Sequence, residues 1–303
     1  MYITSFEKAY TYDVLERDIA SLCSEYNCLR PFPLGTSVGG RTLTAIRWGD
    51  GEKRIFLNGA HHGTEWITAM LLMRILEEFC IRYRNGTSIA GIHFPTLFHE
   101  ITLVICPMVN PDGVELATRG LSELLPPITK TRLRSYNGSD DFSKWNANLN
   151  GVDLNHNYDA KFKEGVFHQH QSGIYGPGPT RFSGAEPESE PESRAIATFT
   201  RVFLPHIAVA YHTQGEVIYY DFLGKTTEQG REMAEAMAEI SGYELDKTEG
   251  MASYSGYKDW VIDAFSIPAF TIEAGLGENP LPLSQFDKIY RDNLSMLLYL
   301  VQA

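Results

Sequence analysis

The sequence predicts an α/β fold in which helices wrap around a mostly parallel or mixed sheet. Short apolar runs, typical of buried strands, alternate along the chain with longer segments whose apolar residues recur at helical spacing. Such alternation is typical of strands and helices that share one sheet. The chain has no internal repeat and no recognisable linker, so residues 1–303 are predicted to form a single domain.

The predicted strands are apolar runs at residues 43–48, 54–60, 101–107, Ile207–His212 and 269–274. The predicted helices cover residues 11–26, 65–83, 189–203, 227–241 and a C-terminal segment that begins at Ser284. The helix at 65–83 is apolar nearly all round and should be buried. Ser189 and Glu192 have the spacing of a capping box. Residues 117–185 are rich in Gly, Pro, Asn and Ser, and are interpreted as loop-rich excursions over the face that carries the functional site.

Composition excludes several classes of partner. The formal net charge is −12, which disfavours nucleic acid and anionic membranes as main partners, because both need basic surfaces. No apolar run is long enough for a membrane span, and the N-terminal residues do not resemble a signal peptide. Cys23 and Cys28 are close enough in sequence to bridge, but the four cysteines are interpreted as free thiols. These features predict a cytoplasmic protein.

His62 and Glu65 are the most informative pair in the chain. They follow a predicted strand at the point where it turns into the buried helix. In open α/β sheets, ligands bind beyond the carboxyl ends of the strands, so both side chains are expected at such an edge. The pair alone is weak evidence, since His156 and Asp159 have the same spacing.

Two further polar residues lie at strand ends. His212 ends one apolar strand, and Glu273 lies in the late run Ala-Phe-Thr-Ile-Glu-Ala. Taken alone, His212 is better interpreted as a hydrogen-bonded core histidine than as a metal ligand. Taken alone, Glu273 fits a buried salt bridge as well as it fits a catalytic role. Taken together, His62, Glu65 and His212 are a ligand set for one Zn²⁺ with an open position for water, and Glu273 is a candidate general base. Asp153 is a candidate acceptor for the second N–H of a ligating histidine.

The other histidines are interpreted as surface or core polar groups without a role in catalysis; they are His61, His93, His99, His168, His170 and His206.

The order of these residues resembles the zinc carboxypeptidase (carboxypeptidase A) superfamily. The chain contains, in sequence, H-x-x-E at 62–65, N-P-D-G at 110–113, G-V-D-x-N at 151–155, a strand that ends in His212, and T-I-E at 271–273. The resemblance implies an α/β/α sandwich around a mixed sheet of roughly eight strands, with one zinc held by His62, Glu65 and His212 and with Glu273 as base. Tyr254 resembles the mobile tyrosine that closes over substrate.

The chain departs from ordinary carboxypeptidases at two cationic positions. The family pattern has Arg after the Asn of G-V-D-x-N, where its planar fork binds a terminal carboxylate. Here Asn155 is followed by His156. The arginine that supports the oxyanion follows an upstream Trp in the family, whereas here Trp145 is flanked by Lys144 and Asn146.

Several segments instead resemble a bacterial branch of the superfamily, the γ-D-glutamyl–diamino acid peptidases of peptidoglycan stem peptides. These segments lie at residues 137–148, 176–182, 189–192, 212–215 and 256–260. The resemblance implies hydrolysis of the amide between the γ-carboxyl of D-Glu and meso-diaminopimelate or lysine. It assigns substrate contacts to Asn155, His156, Arg181 and Tyr254.

Two alternatives stay open at this point. One is a metallocarboxypeptidase that removes C-terminal residues from ordinary peptides. The other is a zinc-containing module that binds murein peptides without turnover. The complete set of His62, Glu65, His212 and Glu273 disfavours the second alternative.

Overall fold

The computed structural model describes Tyr2, Thr4 and residues 8–246 and 254–303. Its main sheet has eight strands in the order β1-β2-β6-β3-β7-β10-β8-β9. The strands of this sheet are β1 (Leu29–Thr36), β2 (Thr42–Trp48), β3 (Lys53–Gly59), β6 (Ile101–Cys106), β7 (Ile207–His212), β8 (Val217–Tyr219), β9 (Glu244–Asp246) and β10 (Ala269–Glu273). A separate hairpin pairs β4 (Ser88–Ile89) with β5 (Ile92–His93).

The sheet is mixed. Its centre is parallel, with β3 between β6 and β7, and β7 next to β10. The contacts of β2 with β1 and β6, and of β8 with β10, are antiparallel. The carboxyl ends of β3, β7 and β10 therefore meet at one edge, which is where the sequence places its polar strand-end residues.

Helices cover both faces of the sheet. The described helices are α1 (Tyr12–Glu25), α2 (Ile67–Asn85), α3 (Phe94–Glu100), α4 (Pro111–Arg119), α5 (Pro127–Asn137), α6 (Phe162–Gln171), α7 (Pro191–Phe203), α8 (Glu228–Ser241), α9 (Tyr257–Phe265) and α10 (Phe286–Leu300). One core joins Ile55 and Leu57 of β3 to α1, α2, α3, α8 and α10. A second core joins Phe56 of β3 to α7 and α9. Successive side chains of β3 therefore point to opposite faces of the sheet and pack into two different helix layers. This confirms the α/β/α sandwich with an eight-stranded mixed sheet.

Some elements differ from the sequence-based expectation. Strand β1 was not predicted, because Pro31 and Pro33 interrupt it, and such a strand is tolerated only at a sheet edge. The predicted capping box was wrong: α7 begins after Glu190 with Pro191 in its first turn, and the Glu190 side chain makes no capping bond. The loop-rich segment 117–185 contains helices α5 and α6, which its composition did not predict.

The four cysteines are free thiols, as interpreted from the sequence. Within the described residues, no helix combines the length and the apolar character that crossing a membrane needs.

Candidate metal centre and active site

His62 and Glu65 lie on a sharp turn between β3 and α2. A short 3-10 turn, Gly63–Glu65, separates the strand from the helix. A Cβ at Gly63 would lie 2.4 Å from the Gly113 carbonyl oxygen, so only glycine fits this close approach. The Gly63 N–H donates to the Asn146 carbonyl over 3.0 Å. The turn is therefore fixed from outside the strand, and it presents both side chains at the sheet edge.

The N-P-D-G segment braces this turn. The Asn110 side chain caps α4 by accepting from Gly113 N at 2.8 Å. Its amide nitrogen donates to the carbonyl oxygens of His61 and Asn146, both at 3.0 Å. One buried asparagine therefore joins three segments around the site. In the sequence this motif is only a family signature, because the contacts of Asn110 reach residues up to 49 positions away and no local pattern predicts them.

His62, Glu65 and His212 come together as one group. Each offers a ligand atom within 4.8 Å of the others. The Nδ1 atoms of His62 and His212 lie 2.8 and 2.9 Å from the two carboxylate oxygens of Glu65. Two imidazole nitrogens and a carboxylate are the donor set of catalytic zinc sites, so these residues fit the ion that the sequence implies.

The pKa values of His62 and Glu65 show that the residues of this group interact as opposite charges. Burial alone would lower the pKa of His62, but Glu65 and Asp153 outweigh it and raise that pKa well above its usual value. Burial opposes ionisation of Glu65, yet His62 and His212 lower its pKa to about 2. Glu65 is therefore a carboxylate at neutral pH.

Asp153 supports His62 from behind. Its Oδ1 lies 3.0 Å from His62 Nε2, and its Oδ2 accepts from the Arg181 backbone N–H at 2.8 Å. Burial raises the pKa of Asp153, but His62, His156 and these hydrogen bonds together lower it below its usual value. An ionised Asp153 accepts a hydrogen bond from the Nε2–H of His62, so in the neutral imidazole that a metal needs the lone pair would lie on Nδ1.

Glu273 lies beside this group at the end of β10. It is paired in register with His212 on the parallel neighbour β7. Burial and the nearby Glu65 raise its pKa well above the ordinary value, although His62 opposes the shift. Within residues 8–246 and 254–303 its carboxylate has no hydrogen-bond or salt-bridge partner, so the alternative of a buried salt bridge finds no support there.

The other predicted residues form a wall next to Asp153. The side-chain oxygen of Asn155 accepts from Tyr257 N at 3.1 Å, and His156 Nδ1 lies 3.3 Å from the Tyr254 carbonyl. The Tyr254 ring is stacked on His168 of α6 with centroids 5.2 Å apart. The structure therefore places Asn155, His156 and Tyr254 side by side.

The two remaining cations lie at the rim. Arg181 is exposed, its φ is 66°, and its backbone rather than its side chain is anchored to Asp153. A non-glycine residue in this region of φ is strained, which is common at ligand sites. Lys144 donates to the Asn279 carbonyl at 2.6 Å. Asn146, at the position after Trp145, accepts a hydrogen bond from the Thr64 hydroxyl, so its amide is engaged inside the fold.

Comparison with known proteins shows the family of this chain. The zinc carboxypeptidase family model (Peptidase_M14) matches residues 16–296. The chain is 38% identical over 296 residues to γ-D-glutamyl-L-diamino acid endopeptidase 1 of Lysinibacillus sphaericus, covering 96% of this chain and 72% of that protein.

Two solved structures have the same fold. Bovine thrombin-activatable fibrinolysis inhibitor superposes with a TM-score of 0.72 at 18% identity, covering 100% of this chain and 98% of that one. Murein-tripeptide amidase MpaA from Escherichia coli O157 superposes with a TM-score of 0.55 at 22% identity, covering 90% and 92%. The family model and the 38% identical relative each span nearly the whole chain, and on that evidence this protein belongs to the zinc carboxypeptidase family.

Proposed function

We propose that this protein is a zinc peptidase that cleaves the γ-D-glutamyl–diamino acid amide of peptidoglycan stem peptides. The proposal rests on the wall formed by Asn155, His156 and Tyr254. This wall lies beside a complete set of His62, Glu65, His212 and Glu273. In that wall His156 occupies the position where carboxypeptidases carry the arginine for a terminal carboxylate. The similarity to the endopeptidase of Lysinibacillus sphaericus supports the same substrate class. The cytoplasmic location expected from the sequence stays a prediction.

One zinc ion per chain would be held by Nδ1 of His62, Nδ1 of His212 and the Glu65 carboxylate. When bound, the metal supplies a Lewis acid that lowers the pKa of water from 15.7 to about 7. Asp153 keeps His62 in the tautomer with a free Nδ1. The Glu273 carboxylate takes a proton from the attacking water and later delivers it to the leaving amine of the diamino acid.

The polar atoms of the wall that have no partner among the described residues are the ones proposed to contact substrate. His156 Nδ1 is engaged by the Tyr254 carbonyl, which leaves Nε2 for the substrate. The Asn155 oxygen is likewise engaged, which leaves its NH₂ as a donor. Arg181 presents an exposed guanidinium beside the site. A γ-D-glutamyl–diaminopimelate peptide carries several carboxylates, and a guanidinium binds such groups through paired hydrogen bonds.

The test is a direct comparison of two substrates. Zinc-loaded protein is incubated with L-Ala-γ-D-Glu-meso-diaminopimelate and, separately, with a hippuryl-type C-terminal peptide, and the products are identified by mass. We expect release of diaminopimelate with the higher kcat/KM. A higher kcat/KM on the hippuryl peptide would instead assign an ordinary carboxypeptidase, and binding of the tripeptide without cleavage would assign a binding module.

Metal analysis tests the ligand set independently. Purified protein should contain one zinc per chain, and both His62→Ala and His212→Ala should lose it, because an open catalytic site needs all three protein ligands. The exposed His99, which lies against Asp50 on the surface, supplies the matched control. His99→Ala should keep full zinc content, and full occupancy in the two site variants would refute the assignment.

A further inference from the structure

The two histidines of the metal group are supported in different ways. His62 Nε2 is held by the carboxylate of Asp153. His212 Nε2 is buried and, among the residues that the structure describes, has no hydrogen-bond partner. Metal-ligating histidines almost always have their second nitrogen held by a carboxylate, a carbonyl or water. Among the described protein groups, contacts elsewhere on the His212 ring must therefore orient it.

His61 lies where it can supply that orientation. Its side chain is fully buried and its ring is stacked on His212, with centroids 5.3 Å apart and an interplanar angle of 22°. The ring is not free to rotate, because its Nε2 shares a hydrogen bond of 2.9 Å with the Tyr158 hydroxyl. The His61 ring, held in this position, thus packs against one face of the His212 imidazole.

Tyr158 is itself held firmly. It is fully buried, and its ring is stacked on Trp260 with centroids 5.9 Å apart. Its backbone N–H donates to the Ser255 carbonyl at 3.0 Å. Contacts therefore continue from Trp260 of α9 through Tyr158 and His61 to His212.

We propose that His61 and Tyr158 are positioning residues that hold the His212 ring with Nδ1 directed towards Glu65 and the metal position. The inference rests on the proposed ligand set. It assigns a role to His61, which the sequence alone identifies only as a surface or core polar group, and to Tyr158, which no sequence motif singles out. Neither residue is assigned contact with substrate or metal.

The experiment compares two Tyr→Phe variants in the same core. Tyr158→Phe removes the hydroxyl that holds His61. Tyr257→Phe is the matched control, since its buried hydroxyl bonds Thr200 at 3.0 Å and makes no bond to His61. Zinc affinity is measured by competition with a chelator, and the Co²⁺ absorption spectrum is recorded for each protein.

Tyr158→Phe should bind zinc about 10- to 100-fold more weakly, as is typical when a supporting contact of a metal ligand is lost. Its Co²⁺ spectrum should also shift. Tyr257→Phe should leave both unchanged. His61→Phe keeps a ring but loses the hydrogen bond, so it should weaken zinc binding similarly, and the double variant His61→Phe with Tyr158→Phe should be no weaker than either single variant.

Three results would overturn the inference. The first is a normal zinc affinity and Co²⁺ spectrum in Tyr158→Phe, even with a lowered Tm. The second is an equal loss in Tyr257→Phe. The third is additivity of His61→Phe and Tyr158→Phe. Failure of the proposed function gives a different pattern, in which wild-type protein holds zinc and distinguishes the two Tyr→Phe variants but does not cleave the tripeptide.

Discussion

At the scale of single residues, the proposed mechanism depends on Glu273, a carboxylate without a partner among the described residues. Glu273 is adjacent to His212 across the β7–β10 ladder and has no ion pair among the described residues. We predict that Glu273→Gln keeps zinc and fold but loses about 10²- to 10⁴-fold in kcat, because the amide cannot accept a proton. Steady-state kinetics with metal analysis check this. Glu278→Gln, which changes an exposed carboxylate at the rim, should retain normal kcat.

His156 is the residue on which specificity should depend. An arginine at this position adds a forked cation for a terminal carboxylate, and such charged hydrogen bonds contribute about 1.5–3 kcal/mol. His156→Arg should therefore shift the kcat/KM ratio of the hippuryl peptide to the γ-D-Glu–diaminopimelate peptide by about tenfold or more towards the former. His156→Gln, which adds no charge, should not produce this shift. An unchanged ratio in His156→Arg would mean that this position does not select the substrate.

At the scale of elements, α2 is stabilised both by burial of its apolar side chains and by a glycine cap at its carboxyl end. Its apolar surface is buried nearly all round, as the sequence predicted. It ends at Gly86, whose φ of 62° is left-handed and whose N–H caps the last turn by donating to Arg82 and Tyr83 carbonyls.

We predict that Gly86→Ala lowers the free energy of unfolding by about 1 kcal/mol, because a Cβ disfavours this conformation. Space is not the cause, since nothing lies within 4 Å of the added carbon. Gly176→Ala is the control, since its site is equally open and its φ is not left-handed. Urea unfolding measures both, and an equal cost in the two variants would contradict the argument.

At the scale of the whole molecule, a buried carboxyl group joins three distant segments. Glu192 of α7 accepts from Val38 N at 2.9 Å and from Asn148 Nδ2 at 3.1 Å. Burial is the largest influence on its pKa and raises it to about 7 from an ordinary 4.5. Because the folded pKa is the higher one, the stability that Glu192 contributes is complete below about pH 4.5 and is lost as pH rises through 7.

Glu192→Gln should remove this dependence. The free energy of unfolding of the variant relative to wild type should rise between pH 5 and pH 8, by about 2–3 kcal/mol at most. Urea unfolding of both proteins at matched pH values gives this difference and cancels the titration of the other groups. For Glu278→Gln the difference should stay constant across the same range, and a constant difference for Glu192→Gln would show that its pKa is not raised.

Sequence alone predicted five strands of the main sheet, five of the helices and the identity of the polar residues at the strand ends. Polar side chains at or just after the end of an apolar run are a local pattern, so His62, Glu65, His212 and Glu273 were identified before their distances were known. Their roles stay predictions until the variants are measured.

Tertiary structure decided what holds these residues in place. Asn110 contacts His61 and Asn146, and Tyr158 contacts His61 across 97 residues of sequence. Such contacts depend on strand order and on the path of the loops, which local periodicity does not encode. The proline-containing strand β1 is likewise tolerated only because the strand order places it at an edge of the sheet. At an edge, the N–H groups that proline lacks are not needed for hydrogen bonds to a second neighbouring strand.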